Sequence, residues 1–191
     1  MVVKAAANLF DRNGYIETSL KDISAEAGLS KGGIYHYFSS KHEILFYIVD
    51  NYMNVLLGNV EEELKKISDP EAKIKYLMNR HLKHFNCQVP EGRALLNHAR
   101  ILPPSEFRYI VGKQKRYANI LTDILCQMTG NDGEKRKLKA ISYFIFGMYN
   151  SIMYWHDPKG PIPLKELSEI CFNLFMDGWK SMSSSGIFKN T

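Results

Sequence analysis

Several classes of protein are excluded by what this sequence lacks. Its three cysteines, Cys87, Cys126 and Cys171, are odd in number and far apart, which excludes a disulfide scaffold and favours a reducing, cytoplasmic location. The longest run without a charged side chain, residues 140–155, is shorter than the ~20 apolar residues that span a bilayer. We therefore expect a cytoplasmic protein that has no membrane partner.

Catalytic motifs are absent as well. The sequence contains no G-x-S-x-G, no H-E-x-x-H and no G-x-x-x-x-G-K-[ST] pattern, and no G-x-G-x-x-G follows a strand pattern. These patterns carry the nucleophiles, metal ligands and phosphate-binding loops of large enzyme classes. We expect no enzyme, no catalytic residue and no cofactor.

Apolar residues recur at helical spacing along the whole chain, without the alternation that is typical of strands. Proline, glycine and asparagine clusters, such as 103–104, 130–133 and 157–163, separate the helical segments. The sequence predicts an all-α fold of about nine helices. These cover residues 2–13, 20–27, 30–38, 41–67, 70–88, 91–102, 105–129, 134–156 and 164–182.

The net charge of +5 does not by itself indicate a nucleic-acid partner, because the charge is unevenly distributed. Residues 1–66 carry seven basic and nine acidic side chains, whereas the remainder of the chain carries 18 and 11. Any case for DNA binding therefore depends on where individual lysines lie and not on bulk basicity.

Residues 19–38 form the most informative stretch of the sequence. Ser19 and Asp22 have the spacing of a capping box at the start of one short helix, and Gly28 is placed to end it. Ser30 then begins a second short helix. Two short helices joined by a tight turn are typical of a DNA-reading unit, although such pairs also occur as plain core elements.

This stretch resembles the helix-turn-helix of the tetracycline-repressor (TetR) family. The family pattern has a T/S start, a core of I-A-x-x-A-G-V-S, then K-G-x-x-Y-x-x-F and K-x-x-L. It is matched at 18–19, 23–30, 31–38 and 41–45. The resemblance implies a three-helix DNA-binding domain, residues 1–46, joined by a long helix to a ligand-binding and dimerisation domain, residues 47–191.

The resemblance also implies a function and a set of DNA contacts. It implies a dimeric repressor that binds a palindromic double-stranded operator and is released by a small hydrophobic or acyl-CoA-type ligand. By family correspondence Lys21, Lys31 and the two glycines lie near base edges, and the others bind the phosphate backbone. The candidate DNA-binding residues are Lys21, Ser30, Lys31, Gly32, Gly33, Tyr35, Tyr37 and Lys41.

A ligand pocket is expected in the second domain, where helix bundles leave cavities. The segment 154–160 resembles that of family members that respond to acyl-CoA, and the basic run 108–116 suits an anionic amphiphile; a neutral hydrophobic ligand is the second choice. The candidate pocket residues are Tyr76, His81, Phe85, His98, Tyr117, Phe144 and Met148.

A rival interpretation is a metal or small-molecule sensor whose helix-turn-helix pair does not bind DNA specifically. His81, His84 and Cys87 could bind zinc by residue type. Their spacing on a helix, however, spreads them over roughly 120°. We therefore predict no metal site.

The last two helices carry more apolar residues than one buried face requires. Glycines on the same helices permit close approach of another helix. We therefore predict a homodimer that is formed through residues 134–156 and 164–182. The candidate interface residues are Ile141, Ile145, Gly147, Ile152 and Gly178.

Overall fold

The computed structural model describes residues 1–130 and 132–185, except for the side chains of residues 31, 85 and 132. Within these residues the chain is helical and contains no strand, so the predicted all-α fold is confirmed. Short 3₁₀ turns follow α7 and precede α9. The helices are α1 (Val2–Asn13), α2 (Leu20–Glu26), α3 (Lys31–Tyr35), α4 (Lys41–Leu57), α5 (Val60–Lys65), α6 (Pro70–Cys87), α7 (Val89–His98), α8 (Pro104–Thr129), α9 (Lys135–Trp155) and α10 (Leu164–Ser184).

The predicted helix 41–67 is divided into α4 and α5. Gly58 and Asn59 form a turn between them, and the backbone N–H of Val60 donates to the carbonyl of Gly58. Glycine and asparagine are poor helix formers, which explains why the ladder is interrupted there although the apolar spacing continues. When α4 and α5 are counted as one helix, the described chain has the expected nine.

The first compact unit comprises residues 1–55 and 87–114. Its core contains Phe10, Ile23 and Ile34 from the first three helices, all of which are buried. The α7 segment packs against α1, where the guanidinium of Arg93 donates to the carboxylate of Asp11 (3.0 Å). This unit therefore does not coincide with the predicted domain 1–46, because a later segment of the chain completes it.

The second compact unit comprises residues 56–86 and 115–191, described as far as residue 185. Its core contains Leu77, Leu121 and Leu138, which are buried almost completely. A buried hydroxyl pair also lies here: Thr122 Oγ1 and Ser142 Oγ are 3.0 Å apart, and each oxygen lies 3.0 Å from a carbonyl one turn earlier in its own helix. One hydroxyl donates to the other, and the second donates to its carbonyl. Among the described helices, none is both long and apolar enough to cross a lipid bilayer.

Candidate nucleic-acid interface and ligand site

The two helices of the helix-turn-helix begin at the side-chain caps that the sequence predicts. The Ser19 hydroxyl accepts a hydrogen bond from the N–H of Asp22 (3.2 Å), and the Asp22 carboxylate accepts one from the N–H of Ser19 (2.8 Å). The Ser30 hydroxyl accepts from the N–H of Gly33 (3.1 Å). Gly28 lies between the helices at φ +65°, in the left-handed conformation that favours glycine. The capped pair is thus confirmed.

Most of the predicted DNA-contacting residues lie on the solvent side of this pair. Ile23 and Ile34 face inward and are buried to 0 and 1 % exposure. Gly33 is half-buried, and the side chain of Lys31 lies outside the described residues. The exposed candidates are Lys21, Ser30, Gly32, Tyr35 and Tyr37. Their exposure is what a DNA-binding surface requires, and the contacts themselves stay a prediction.

The glycine pair at the start of α3 is not required by packing against the described part of the chain. A Cβ built on Gly32 would meet only the Ser30 hydroxyl at 3.9 Å, and one on Gly33 would meet ordinary contacts at 3.5 Å and beyond. Neither glycine has a positive φ. Each costs up to about 1 kcal/mol of helix propensity relative to alanine. Packing against the described residues therefore does not account for either glycine.

Lys41 does not present its ammonium to solvent as expected. Its Nζ donates to the backbone carbonyls of Tyr15 (2.7 Å), Ile16 (3.2 Å) and Thr18 (2.7 Å). Its hydrogens are therefore directed at the turn between α1 and α2, and the phosphate contact of Lys41 stays a prediction. The sequence shows that Lys41 lies at a helix start but does not show that three carbonyls converge on it.

An aromatic cluster fills part of the interior of the second unit around His81. The His81 Nε2 lies 3.1 Å from Asn150 Oδ1, and the ring centroid is 5.8 Å from that of Tyr117 and 5.2 Å from that of Phe146. Because Asn150 Oδ1 can only accept, Nε2 carries the proton. Burial is the main cause that lowers the pKa of His81 to about 4, with a smaller contribution from His84, although the Asn150 contact opposes it. The ring is therefore neutral at physiological pH.

Two of the predicted pocket residues, His81 and Tyr117, lie together in this cluster, which also includes residues outside that prediction; the pocket itself stays a prediction. Phe146 and Asn150 come from α9, and the Tyr149 ring lies 6.3 Å from His81. These three positions share one face of α9 at i, i+3 and i+4 spacing. That spacing is visible in the sequence, but nothing in it identifies which face of α9 turns inward.

Three other pocket candidates do not join this cluster. Phe144 and Met148 are 73 and 39 % exposed, so they lie on the surface. His98 belongs to the first unit, where its ring lies 6.2 Å from that of Tyr15. The side chain of Phe85 lies outside the described residues. The remaining candidate, Tyr76, is half-buried in α6.

The predicted dimer residues also divide between the two faces of α9. Ile145 and Ile152 are each 1 % exposed and pack inside the unit, so they have no surface to offer a partner. Ile141 is half-buried. Gly147 and Gly178 are exposed, and a Cβ built on either would meet open space. On α9 the residues assigned to the pocket, Phe144 and Met148, therefore point outward. Two of those assigned to the interface, Ile145 and Ile152, point inward.

The structure also bears on the metal alternative and on the basic run 108–116. In the parts of the chain that the structure describes, no three His, Cys, Asp or Glu side chains lie close enough to share a metal ion. The basic run of α8 is partly neutralised: Lys113 binds Asp50 and donates to Asn54 (2.6 Å). Arg116 donates to Glu61 (2.8 Å). Charge alone therefore argues less strongly for an anionic ligand than the sequence suggests.

Comparison with known proteins matches both parts of the chain. The family model described as "Bacterial regulatory proteins, tetR family" matches residues 2–48, and the one described as "Tetracyclin repressor-like, C-terminal domain" matches residues 68–179. The second match alone covers more than half of the chain.

Individual relatives match over nearly the full length. The fatty acid metabolism regulator protein of Bacillus subtilis (strain 168) is 25% identical over 183 residues, which is 93% of each chain. The crystal structure of a TetR-family transcriptional regulator from Bordetella parapertussis 12822 superposes with a TM-score of 0.87 at 26% identity, covering 94% of each chain. AibR, in complex with isovaleryl coenzyme A and operator DNA, superposes with a TM-score of 0.78 at 20% identity, covering 91% of this chain and 95% of that one.

Proposed function

The chain belongs to the TetR family of DNA-binding transcriptional regulators, and we propose that it is a homodimeric repressor whose two helix-turn-helix pairs bind the half-sites of a palindromic operator. The observation that carries this proposal is the glycine pair Gly32-Gly33. Glycine is less favourable than alanine in a helix, and among the described residues no neighbour needs the space that these two glycines leave. A DNA backbone that approaches the start of this helix would need it.

The proposal predicts opposite effects on stability and on binding. Gly32→Ala and Gly33→Ala are expected to raise the free energy of unfolding by up to about 1 kcal/mol each. The same variants are expected to weaken operator binding, because the added methyl group lies where the DNA approaches. Thermal unfolding and fluorescence anisotropy with promoter fragments measure the two effects.

A matched control is Gly112→Ala, in the interior of α8, where an added Cβ also meets open space. It is expected to raise stability and leave operator affinity unchanged. Operator affinity that is equal to wild type in both Gly32→Ala and Gly33→Ala would count against this DNA-binding surface. The absence of any sequence-specific complex of the wild-type protein would favour a sensor that does not read DNA.

Dimer formation is supported by an apolar surface on α9 and α10. Phe144 and Leu174 are 73 and 66 % exposed, which is unusual for side chains of this size. Gly147 and Gly178 on the same helices leave room for a neighbouring backbone. A second copy presents the same surface, so a two-fold interface would cover both. The exposed apolar residues of α9 and α10 include Tyr143, Phe144, Met148, Ile170 and Leu174.

Sedimentation tests the dimer. Wild-type protein at micromolar concentration is expected to sediment at twice the 22.0 kDa chain mass. Phe144→Glu is expected to shift it towards monomer, because dimerisation would bury an unpaired charge. Asn86→Glu places the same charge at an exposed polar position of α6 and serves as the control. A wild-type protein that stays monomeric contradicts the proposal.

The effector that we propose is an acyl-CoA, with its acyl chain among the rings around His81, Tyr117 and Phe146. These rings offer apolar surface, and the neutral imidazole adds no charge that would have to be matched. The names of two relatives, a fatty acid metabolism regulator and a regulator bound to isovaleryl coenzyme A, point in the same direction. Release of the operator then requires that the ligand binds the DNA-free form more tightly.

Titration of acyl-CoAs of graded length into the protein–operator complex tests this effector. We expect operator affinity to fall by roughly 5- to 150-fold at saturation, and operator DNA to weaken ligand binding by the same factor. Coenzyme A alone and the matching free fatty acids are the controls. If a neutral hydrophobic compound lowers operator affinity and no acyl-CoA does, the acyl-CoA assignment is wrong.

A further inference from the structure

Three backbone carbonyls converge on the ammonium of Lys41. The carbonyls of Tyr15, Ile16 and Thr18 accept hydrogen bonds from Nζ at 2.7, 3.2 and 2.7 Å. An ammonium has three N–H donors and no acceptor, so these three bonds use all of its hydrogen-bonding capacity. A DNA phosphate would have to displace at least one carbonyl in order to bind it.

The surroundings of Lys41 Nζ favour its hydrogen bonds to the carbonyls over hydrogen bonds to water. Nζ lies 4.4 Å from the centroid of the Tyr15 ring, which is a cation–π contact. The same ring packs 5.0 Å from Phe10 and 5.8 Å from His42. Partial burial lowers the pKa of Lys41, and the carboxylate of Glu17 opposes the change. The ammonium of Lys41 is thus stabilised by the dipoles of three carbonyls and by the face of the Tyr15 ring.

The carbonyls belong to the turn that leads into the helix-turn-helix. The hydroxyl of Thr18 donates to the carbonyl of Gly14 (2.7 Å), which closes the turn from inside. The next residue, Ser19, is the cap of α2. Lys41 is the first residue of α4, so its side chain ties the start of α4 to the start of α2. Without it, three carbonyls that point together would repel one another.

We infer that Lys41 is a positioning residue for DNA binding: its ammonium fixes the turn 14–18, and thereby the entry of α2, and it is not a phosphate ligand. The inference rests on the proposed operator binding. Arginine cannot replace lysine in this role, because a planar guanidinium directs its donors outward in a fork and not towards one convergent point. Arginine would, however, serve well as a phosphate ligand.

A salt series with operator DNA separates the two roles. Lys41→Met and Lys41→Arg are both expected to lose about tenfold or more in operator affinity, because each breaks hydrogen bonds to a charged group. The slope of log K against log[salt] is expected to match wild type in both. Lys21→Met, which removes an exposed positive charge from the candidate DNA-binding surface, is expected to lower that slope by up to about 0.9.

Amide hydrogen exchange of the DNA-free protein provides a readout that does not depend on operator binding. Exchange across residues 14–20 is expected to be faster in both Lys41 variants than in wild type, and unchanged in Lys65→Met, at an exposed lysine of the second unit. Two results overturn the inference: unchanged exchange in this turn, or wild-type operator affinity in Lys41→Arg together with a slope lowered by about 0.9 in Lys41→Met. Failure of the wild-type protein to bind an operator contradicts the proposed function instead.

Discussion

Lowering the pH from about 7.5 to about 5.0 is expected to reduce the free energy of unfolding through the buried ring of His81. Burial lowers its pKa to about 4 in the folded chain, whereas in the unfolded chain it is close to 6.5. Between these values the unfolded chain binds a proton that the folded chain does not. The contribution of the neutral His81 ring to the free energy of unfolding is therefore fully present above about pH 6.5, and it is lost as the pH falls towards 4.

The magnitude follows from the linkage relation. With a pKa of about 4 in the folded chain and about 6.5 in the unfolded chain, the free energy of unfolding falls by about 2 kcal/mol between pH 7.5 and pH 5.0. The decrease reaches about 3 kcal/mol at a pH low enough to protonate the folded ring as well. His81 is 4 % exposed, so solvent screening reduces this little. A loss of this size is a large fraction of the 5–15 kcal/mol that holds a typical domain together.

Urea denaturation followed by circular dichroism, at four pH values and one protein concentration, measures the effect. In His81→Gln the side-chain amide still donates to Asn150 but cannot take up a proton, so the difference between wild type and variant isolates the ring. This difference is expected to change by about 2 kcal/mol across the range. His36→Gln, at an exposed histidine, is the control. Parallel pH profiles for wild type and His81→Gln would refute the reasoning.

Three further changes are expected to lower thermal stability. Gly28→Ala costs about 1 kcal/mol from its φ of +65° alone, because no atom lies within 4 Å of the added Cβ, and Gly28→Asn costs less; equal melting temperatures for alanine and wild type would contradict this. Ser19→Ala removes the capping box with Asp22 and costs about 1 kcal/mol in urea denaturation. Thr122→Val removes a buried hydroxyl pair with Ser142 and costs about 1 kcal/mol; a stabilised variant would show that the pair is not a net contributor.

The sequence by itself determined the local structure of the helix-turn-helix. Caps and turns depend on residues within four positions of each other, so Ser19, Gly28 and Ser30 could be assigned without the fold. The helix order and most helix ends follow from the same short-range rules. The break at Gly58-Asn59 was visible only as a weak signal, because the apolar spacing continues beyond it.

The tertiary structure alone decided which side of α9 faces inward and which groups bind the ammonium of Lys41. The α9 sequence is apolar almost all round, so its composition could not tell Ile145 and Ile152, which are buried, from Phe144 and Met148, which are exposed. Lys41 lies at least 23 positions along the chain from the carbonyls that bind it. No periodicity encodes such a contact, because it exists only when the turn and the start of α4 pack together.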